Sequence, residues 1–323
     1  MQVKNFKYLE SVNDPPNFIQ GFTNDQAVNF LRKILKRNYA RFFTDHKEEA
    51  QKIVDDTFDI LQEAARADND SLETFNNAVE RVIDEVFRCN EKNHWFHQGY
   101  KLYKSKIKPN SFLSILEPHL VGPRILDFGT GKGYLAKLLI SKGYQVGLTD
   151  VIDQLPQDLN HLDFRLMPNE VTVPFDSDQF ETVIVKAVLH HIERENIKLI
   201  FQELKRVARR LVIVEDLPFT DSFITQTISP DNISDELMQQ FLFGLTQEQR
   251  LIICKIMDYF GNALAQGLYY LNFPFNFHTT QGWEELGQEA GLSLIEVVPA
   301  AFFDVGLHTF FQTVLIFEND HYL

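Results

Sequence analysis

The feature that most constrains the fold is an apolar strand pattern running directly into three glycines at alternate positions. It extends from Arg124 to Gly133, with glycines at 129, 131 and 133, and a helical pattern follows from Leu135 to Ser141. Glycines allow a tight turn and let a ligand approach the backbone amides at the start of the next helix. The pattern therefore predicts a strand, a ligand-binding loop and a helix.

Two other glycine-rich nucleotide loops can be tested against the same residues. The dinucleotide fingerprint G-x-G-x-x-G would need a glycine where Tyr134 stands. The phosphate loop of NTPases would need Ser or Thr after Lys132, but Gly133 follows. The spacing excludes both loops.

Strand patterns alternate with helical patterns after about residue 96, which is typical of an α/β fold with a parallel sheet. Seven strands are enough for a full sheet with helices on both faces. The predicted strands are Arg124 to Phe128, Gln145 to Thr149, Asp163 to Met167, Thr182 to Lys186, Leu211 to Glu215, Ser293 to Val298 and Phe311 to Phe317.

The N-terminal region has a different pattern, with apolar residues at helical spacing from Thr23 to about Cys89. We interpret it as three helices that cover the active site or form a dimer face. A hinge at Asn93 to Gly99 then divides residues 1–95 from the core at 96–323.

The connection from Leu217 to Phe277, between the fifth and sixth strands, is too long for an ordinary crossover. Helical runs at Ser234 to Phe243 and Gln247 to Leu271 predict an inserted helical lid. Phe-rich stretches at Asn272 to His278 and Ala301 to Phe311 favour an apolar pocket.

Charge and cysteine content narrow the class of protein. The formal net charge of −14 disfavours nucleic acid as a partner. Cys89 and Cys254 are too far apart in sequence to indicate a disulfide framework or a zinc knuckle. Neither a signal peptide nor a membrane-spanning run is visible, so we expect a cytoplasmic protein.

The glycine loop resembles the first motif of class I S-adenosylmethionine-dependent methyltransferases, and the chain is similar to their ubiquinone/menaquinone-biosynthesis-like group. Val146 to Asp150 resembles the second strand with its terminal acid, and Val173 to Glu193 resembles the L-P-F and L-H-H-I segment. Glu181 departs from the usual Asp. The resemblance extends from Phe96 to Glu318, with a late helix within Phe277 to Leu292.

The resemblance implies a Rossmann-like, seven-stranded, mostly parallel sheet and S-adenosyl-L-methionine as cofactor. It implies that Asp150 holds both ribose hydroxyls, because a carboxylate can accept from two donors. The adenine-contacting acid aligns with either Asn169 or Glu170. The implied cofactor-binding residues are Asp127, Gly129, Thr130, Gly131, Gly133, Asp150, Val151, Asn169, Glu170, Lys186 and Ala187.

Three residues at the ends of strands four and five are candidates for catalysis: His190, His191 and Glu215. The histidines could face the substrate or pack against the cofactor loop, and Glu215 could orient the substrate or cap the lid's entry. His94 and His97 have a metal-like spacing but no third ligand, so no metal site is predicted. Instead, we expect Trp95 and Phe96 to close over the cofactor.

The predicted function is methyl transfer to an oxygen, nitrogen or carbon of a small, apolar or aromatic metabolite. One alternative is a protein or peptide acceptor that docks on the N-terminal helices, and another is a cofactor-binding interaction protein without turnover. An RNA acceptor is disfavoured by charge, although four lysines lie between Lys101 and Lys108. A homodimer through the N-terminal helices is possible on this pattern.

Overall fold

The computed structural model describes residues 8–67, 72–267, 271–299, 307 and 312–319. Within these ranges the chain forms a seven-stranded sheet in the order β3-β2-β1-β4-β5-β7-β6. β7 is antiparallel to both of its neighbours, and the pairings among the first five strands are parallel. The predicted Rossmann-like, mostly parallel sheet is confirmed.

The strands agree with the sequence patterns to within a few residues at each end. The first residue predicted for the last strand, Phe311, lies outside the described residues, as do residues 300–306 and 308–310 of the second Phe-rich stretch. The observed strands are β1 Arg124–Phe128, β2 Gln145–Asp150, β3 Asp163–Leu166, β4 Phe180–Lys186, β5 Ala208–Asp216, β6 Leu292–Pro299 and β7 Gln312–Asn319.

The central strands are apolar on both faces because helices cover the sheet on both sides. Leu126 of β1 belongs to one buried cluster and its neighbour Ile125 to the other. The parallel register places the carboxyl ends of β1, β2, β4 and β5 along one edge of the sheet. Ligands of open α/β sheets bind at this edge.

Twelve α-helices occur in the described ranges, and none of them is both long and apolar enough to cross a membrane. Helices α4, α5 and α11 each continue into a π-helical turn, at Val82–Val86, Tyr103–Ile107 and Phe260–Leu264. The helices are α1 Pro15–Gly21, α2 Asp25–Phe42, α3 Lys47–Ala67, α4 Leu72–Arg81, α5 Trp95–Leu102, α6 Lys108–Leu116, α7 Tyr134–Ser141, α8 Arg194–Val207, α9 Asp221–Thr227, α10 Glu236–Phe243, α11 Gln247–Tyr259 and α12 Thr280–Glu289.

The N-terminal helices bury their apolar faces against the helices inserted after β5. α2 packs on α10 and α11, and α1 packs on α11. Phe30 of α2 stacks on Phe241 of α10 with the ring centroids 5.7 Å apart. Both regions share one hydrophobic cluster with the sheet. The division at residue 95 therefore remains a proposal about sequence segments.

The stretch predicted as a hinge, Asn93 to Gly99, instead enters a helix, since α5 begins at Trp95. Phe96 is fully buried and packs against the rings of Tyr39, Phe43 and Phe87, with centroids 5.2–5.7 Å apart. An aromatic residue with this many ring contacts anchors the helix in the core. The sequence pattern did not reveal these distant partners.

Arg250 of α11 holds the inserted helices together. Its guanidinium is fully buried and donates to the carbonyl oxygens of Phe219, at 2.9 Å, and Leu242, at 3.0 Å. It also donates to the Leu245 carbonyl and the Asp221 carboxylate. One side chain thus joins the start of the insertion, the end of α10 and the loop before α11.

Candidate active site

A cavity of about 1420 Å³ lies at the carboxyl edge of the sheet. Its walls come from the ends of β1, β2, β4 and β5, from residues 89–112, and from α11 with the turn that follows it. Asn272 and Gln312 also line the cavity. Residues of the insertion after β5 therefore line the cavity, and the role of the insertion as a lid remains a prediction.

The three glycines of the loop all have positive φ, between +55° and +69°, but for different structural reasons. A Cβ at Gly129 would overlap Val188, and one at Gly133 would lie 2.9 Å from Leu155. A Cβ at Gly131 would meet nothing within 4 Å, and this residue lines the cavity. Gly131 thus leaves space for a ligand, whereas Gly133 serves packing and is not part of the described lining.

Asp127 lies at the start of the loop, where Thr130 donates a hydrogen bond of 2.9 Å to its carboxylate. Burial raises the pKa of Asp127 to about 6, against the opposing effects of Thr130 and Lys186. Both Asp127 and Thr130 line the cavity, as predicted for cofactor-binding residues. The carboxylate can accept a hydrogen bond from an ammonium group bound beside it.

Asp150, at the end of β2, is held by the backbone of the loop. Its carboxylate accepts from the amides of Gly131 at 2.8 Å and Ile152 at 3.2 Å, while burial raises its pKa. Each carboxylate oxygen has a further lone pair. Asp150 and the adjacent Val151 line the cavity, in the place predicted for ribose recognition.

Of the two residues considered for adenine recognition, only Glu170 lines the cavity. The side-chain oxygen of Asn169 accepts from the amides of Val171 at 3.0 Å and Thr172 at 2.8 Å. These hydrogen bonds hold the Asn169 side chain in a turn of its own backbone. Asn169 lies outside the described lining, and its contact with the cofactor stays a prediction.

Lys186 and Ala187, predicted as cofactor-binding residues, line the cavity at the end of β4. Ala187 has a φ of +52°, a conformation that an L-residue adopts only at a cost of ~1–2 kcal/mol. Such strain at the end of a strand is common at binding sites.

Three lysines line one wall of the cavity: Lys186, Lys108 and Lys104. The Lys186 and Lys108 amino groups lie 4.5 and 5.9 Å from the centre of the Phe112 ring. Burial lowers the pKa of all three, to about 7 for Lys104. Within the described ranges, none of these amino groups forms an ion pair with a carboxylate, and an anion bound beside them would favour their protonated forms.

His190 is buried in the cavity wall and is fixed by Glu215. Its Nδ1 donates to the Glu215 carboxylate, which also accepts the amides of Val188 at 3.1 Å and Leu189 at 2.8 Å. Burial alone would lower the pKa of His190, but Glu215 and Asp258 raise it well above its usual range. Glu215 is fully buried and outside the described cavity lining, so it contacts the cavity through His190, and its catalytic role stays a prediction.

His191 also lines the cavity, and the carbonyl of Asn272 fixes its ring with a hydrogen bond of 2.8 Å from Nδ1. Its Nε2 lies 3.6 Å from the Asp258 carboxylate of α11. Burial lowers the pKa of His191, whereas the two histidines hold the pKa of Asp258 below its usual range despite burial. The His-His pair thus meets an acid from the insertion.

Asp216, the last residue of β5, faces the same part of the cavity. One of its carboxylate oxygens is buried and has no hydrogen-bond partner. Burial raises the pKa of Asp216 to about 7, with smaller opposing effects of His190 and Lys108. It can therefore donate or accept a hydrogen bond near neutral pH.

Sequence reasoning missed the contributions of helices outside the sheet. Asp258 and Asn262 come from α11 and its π-helical turn, and Lys104 and Lys108 precede or begin α6. A lone acid between the apolar Met257 and Tyr259 was the available signal for Asp258. Trp95 and Phe96, which were predicted to close over the cofactor, are not in the described lining.

His97 differs from its sequence neighbour His94 in lining the cavity. Its Nε2 is hydrogen-bonded to the carbonyl of Phe87 at 2.8 Å. His97 thus joins α5 to the segment that follows α4, and His94 lies at the start of α5.

Several solved structures resemble the chain, all with TM-scores below 0.5. A 1,6-didemethyltoxoflavin-N1-methyltransferase from Burkholderia thailandensis aligns at 16% identity over 72% of this chain and 87% of its own, with a TM-score of 0.42. Magnesium protoporphyrin IX methyltransferase from Synechocystis aligns at 14% identity over 75% and 98%, with a TM-score of 0.41. The pyocyanin biosynthetic protein PhzM aligns at 12% identity over 84% and 72%, with a TM-score of 0.49.

A sequence search of curated proteins finds no match. By contrast, residues 126–214 match the family described as "Methyltransferase domain". This segment begins in β1 and ends in β5, so it contains the glycine loop, Asp150 and the His-His pair. The match identifies a methyltransferase domain in this segment, and the strand order agrees with the Rossmann-like sheet that the sequence predicted.

Proposed function

We propose that this enzyme methylates an oxygen or nitrogen atom of a small metabolite that is held inside the cavity. The observation that carries the proposal is the continuity of one cavity from Gly131 and Asp150 to His191 and Asp258. A single small-ligand pocket measures roughly 300–1,000 Å³. The volume of about 1420 Å³ supports the binding of a cofactor and a small acceptor together.

The residues of the glycine-loop end fit S-adenosylmethionine. Gly131 leaves room beside the main chain, and Asp150 retains lone pairs for the ribose hydroxyls. Asp127 suits the ammonium group of the methionyl part, and the amino groups of Lys186 and Lys108 are hydrogen-bond donors for its carboxylate.

The task of the protein is to align the acceptor with the methyl group in a site that excludes water. Alignment of this kind contributes about 7–11 kcal/mol to lowering a barrier. When bound, S-adenosylmethionine supplies an activated methyl group, so that the acceptor's lone pair forms the new bond, the carbon–sulfur electron pair stays on sulfur, and any proton on the acceptor atom leaves.

The lining at the far end supports a polar acceptor group. His191, Asp258, Asn262, Gln266 and Asn272 surround this part of the cavity. The sequence favoured an apolar or aromatic acceptor because the lid is rich in phenylalanine, but the phenylalanines of residues 217–277 lie outside the described lining. We therefore propose a hydroxyl, amine or related group as the methylated end of the acceptor.

The experiment that tests this function follows a labelled methyl group. The purified enzyme is incubated with methyl-labelled S-adenosylmethionine and a cell extract separated into small-molecule, protein and RNA fractions. We expect label in the small-molecule fraction, and none when Gly131→Val replaces the wild type. Label confined to protein would assign a peptide acceptor, and label confined to RNA would contradict the argument from charge.

A further inference from the structure

The two adjacent histidines of the cavity are both fixed through Nδ1. His190 donates from Nδ1 to the buried Glu215 carboxylate, and His191 donates from Nδ1 to the Asn272 carbonyl at 2.8 Å. Histidines that bind metal through Nε2 are oriented in this way, by a carboxylate or a backbone carbonyl on the other nitrogen. Both Nε2 atoms are thereby directed to the same place.

That place is the carboxylate of Asp258. Its Oδ1 lies 3.3 Å from Nε2 of His190 and 3.6 Å from Nε2 of His191, and Asn262 donates to it at 2.7 Å. Its Oδ2 is buried without a hydrogen-bond partner. One ligand atom from each of the three residues lies within 4.8 Å of the other two.

These distances are those expected between ligands of one ion. Two atoms that are each bound at about 2.1 Å and separated by a tetrahedral angle lie about 3.4 Å apart. A hydrogen bond between a charged imidazole and a carboxylate is shorter, at about 2.7–2.9 Å. Pairing of His190 with Asp258 alone would also leave His191 and the second Asp258 oxygen unexplained.

We propose that His190, His191 and Asp258 bind a divalent transition-metal ion of the zinc or ferrous type. Two imidazoles and one carboxylate suit such ions, whereas magnesium and calcium prefer an all-oxygen shell. Glu215 and Asn272 are positioning residues, because they act through the histidines. The three ligand residues line the cavity, so the remaining coordination positions face its interior.

The ion would serve the acceptor end of the site. A hydroxyl or amine that donates a lone pair to a divalent ion is oriented by it, and a coordinated hydroxyl loses its proton more readily. This consequence rests on the proposed function. The binding site itself does not, because its evidence is the geometry of the three ligands.

Cobalt binding tests the site without any assay of activity. The chain is stripped with a chelator and titrated with Co²⁺, whose visible absorption reports nitrogen ligation and a low coordination number. We expect one Co²⁺ per chain, a visible band, and displacement by Zn²⁺ but not by an equal concentration of Mg²⁺. A colourless complex, or equal competition by Mg²⁺, would overturn the proposal.

Variants assign the ligands. Asp258→Asn and His191→Ala should each weaken Co²⁺ binding by about a hundredfold or more, and Glu215→Gln should weaken it by about 10–100-fold. The matched control is His97→Gln, since His97 lines the same cavity outside the cluster and its loss should leave binding unchanged. S-adenosylhomocysteine binding verifies that each variant is folded. Unchanged Co²⁺ affinity in a folded Asp258→Asn variant contradicts the site.

The labelling experiment separates this inference from the proposed function. Metal binding with no label in any small molecule would retain the site and reject the function. Label in a small molecule, with no Co²⁺ binding and no effect of the chelator, would retain the function and reject the metal.

Discussion

The two ends of the cavity are built in opposite ways. At the cofactor end, a continuous strand–loop–helix segment from β1 to α7 presents backbone amides, and Asp150 joins it from the neighbouring strand. At the acceptor end, side chains come from β4, β5, α11 and the loop at Asn272, which are distant in sequence. The cofactor end is thus specified locally, and the acceptor end depends on how the insertion packs.

The strongest test of this difference is replacement of Arg250, the buried side chain that holds the inserted helices together. Arg250→Met would leave three buried carbonyls without their donor, which should cost roughly 3–5 kcal/mol of unfolding free energy. Hydrogen exchange should accelerate in α10 and α11 but remain slow in β1 and β2. Equal acceleration in the sheet would show that the two ends do not differ in this way.

A large effect confined to the cofactor end is expected from Gly131→Val. The branched side chain would enter space within the cavity, so affinity for S-adenosylhomocysteine should fall more than about a hundredfold by calorimetry. Gly143→Val is the matched control, because Gly143 also has positive φ and open space around its Cβ but lies outside the described lining. Similar affinities in the two folded variants would remove Gly131 from the site.

A smaller loss is expected from Asp150→Ala, which removes the carboxylate predicted to accept the ribose hydroxyls. Affinity for S-adenosylmethionine should fall about 10–150-fold, as expected for about 1.5–3 kcal/mol of hydrogen bonds to a charged acceptor. Asp153→Ala should have much less effect, because Asp153 is exposed and accepts from the Leu155 amide at 3.2 Å. If the two variants behave alike, the ribose assignment fails.

The smallest effect distinguishes Glu170 from Asn169. Glu170→Gln should weaken cofactor binding by no more than about tenfold, the equivalent of ~1.4 kcal/mol, since Glu170 lines the cavity but is exposed. Asn169→Ala should instead lower the melting temperature, because its side chain supports the turn at Val171 and Thr172. The reverse pattern would identify Asn169 as the residue that contacts the cofactor.

The same contrast explains which strands and site residues the sequence predicts and which it does not. β1 was predicted to the residue because its apolar run and glycine loop are local signals, and local signals also revealed Asp150 and the His-His pair. Asp258 could not be assigned, since helical periodicity does not say which residue of α11 faces a ligand. The sequence suggests a site role for Trp95 and Phe96 because it does not reveal their core contacts. Their ring partners Tyr39 and Phe43 are distant in sequence.

Arg250 also bears on how such an enzyme could change its acceptor. Because one buried side chain joins α9, α10 and α11 through contacts within the insertion, these helices carry much of their own cohesion. An exchange of this segment between related enzymes could therefore transfer acceptor recognition while leaving the methyl-donor machinery unchanged. The exchanged segment would begin at the end of β5 and end at the start of α12. It would include both Arg250 and Asp221, because the two side chains are hydrogen-bonded.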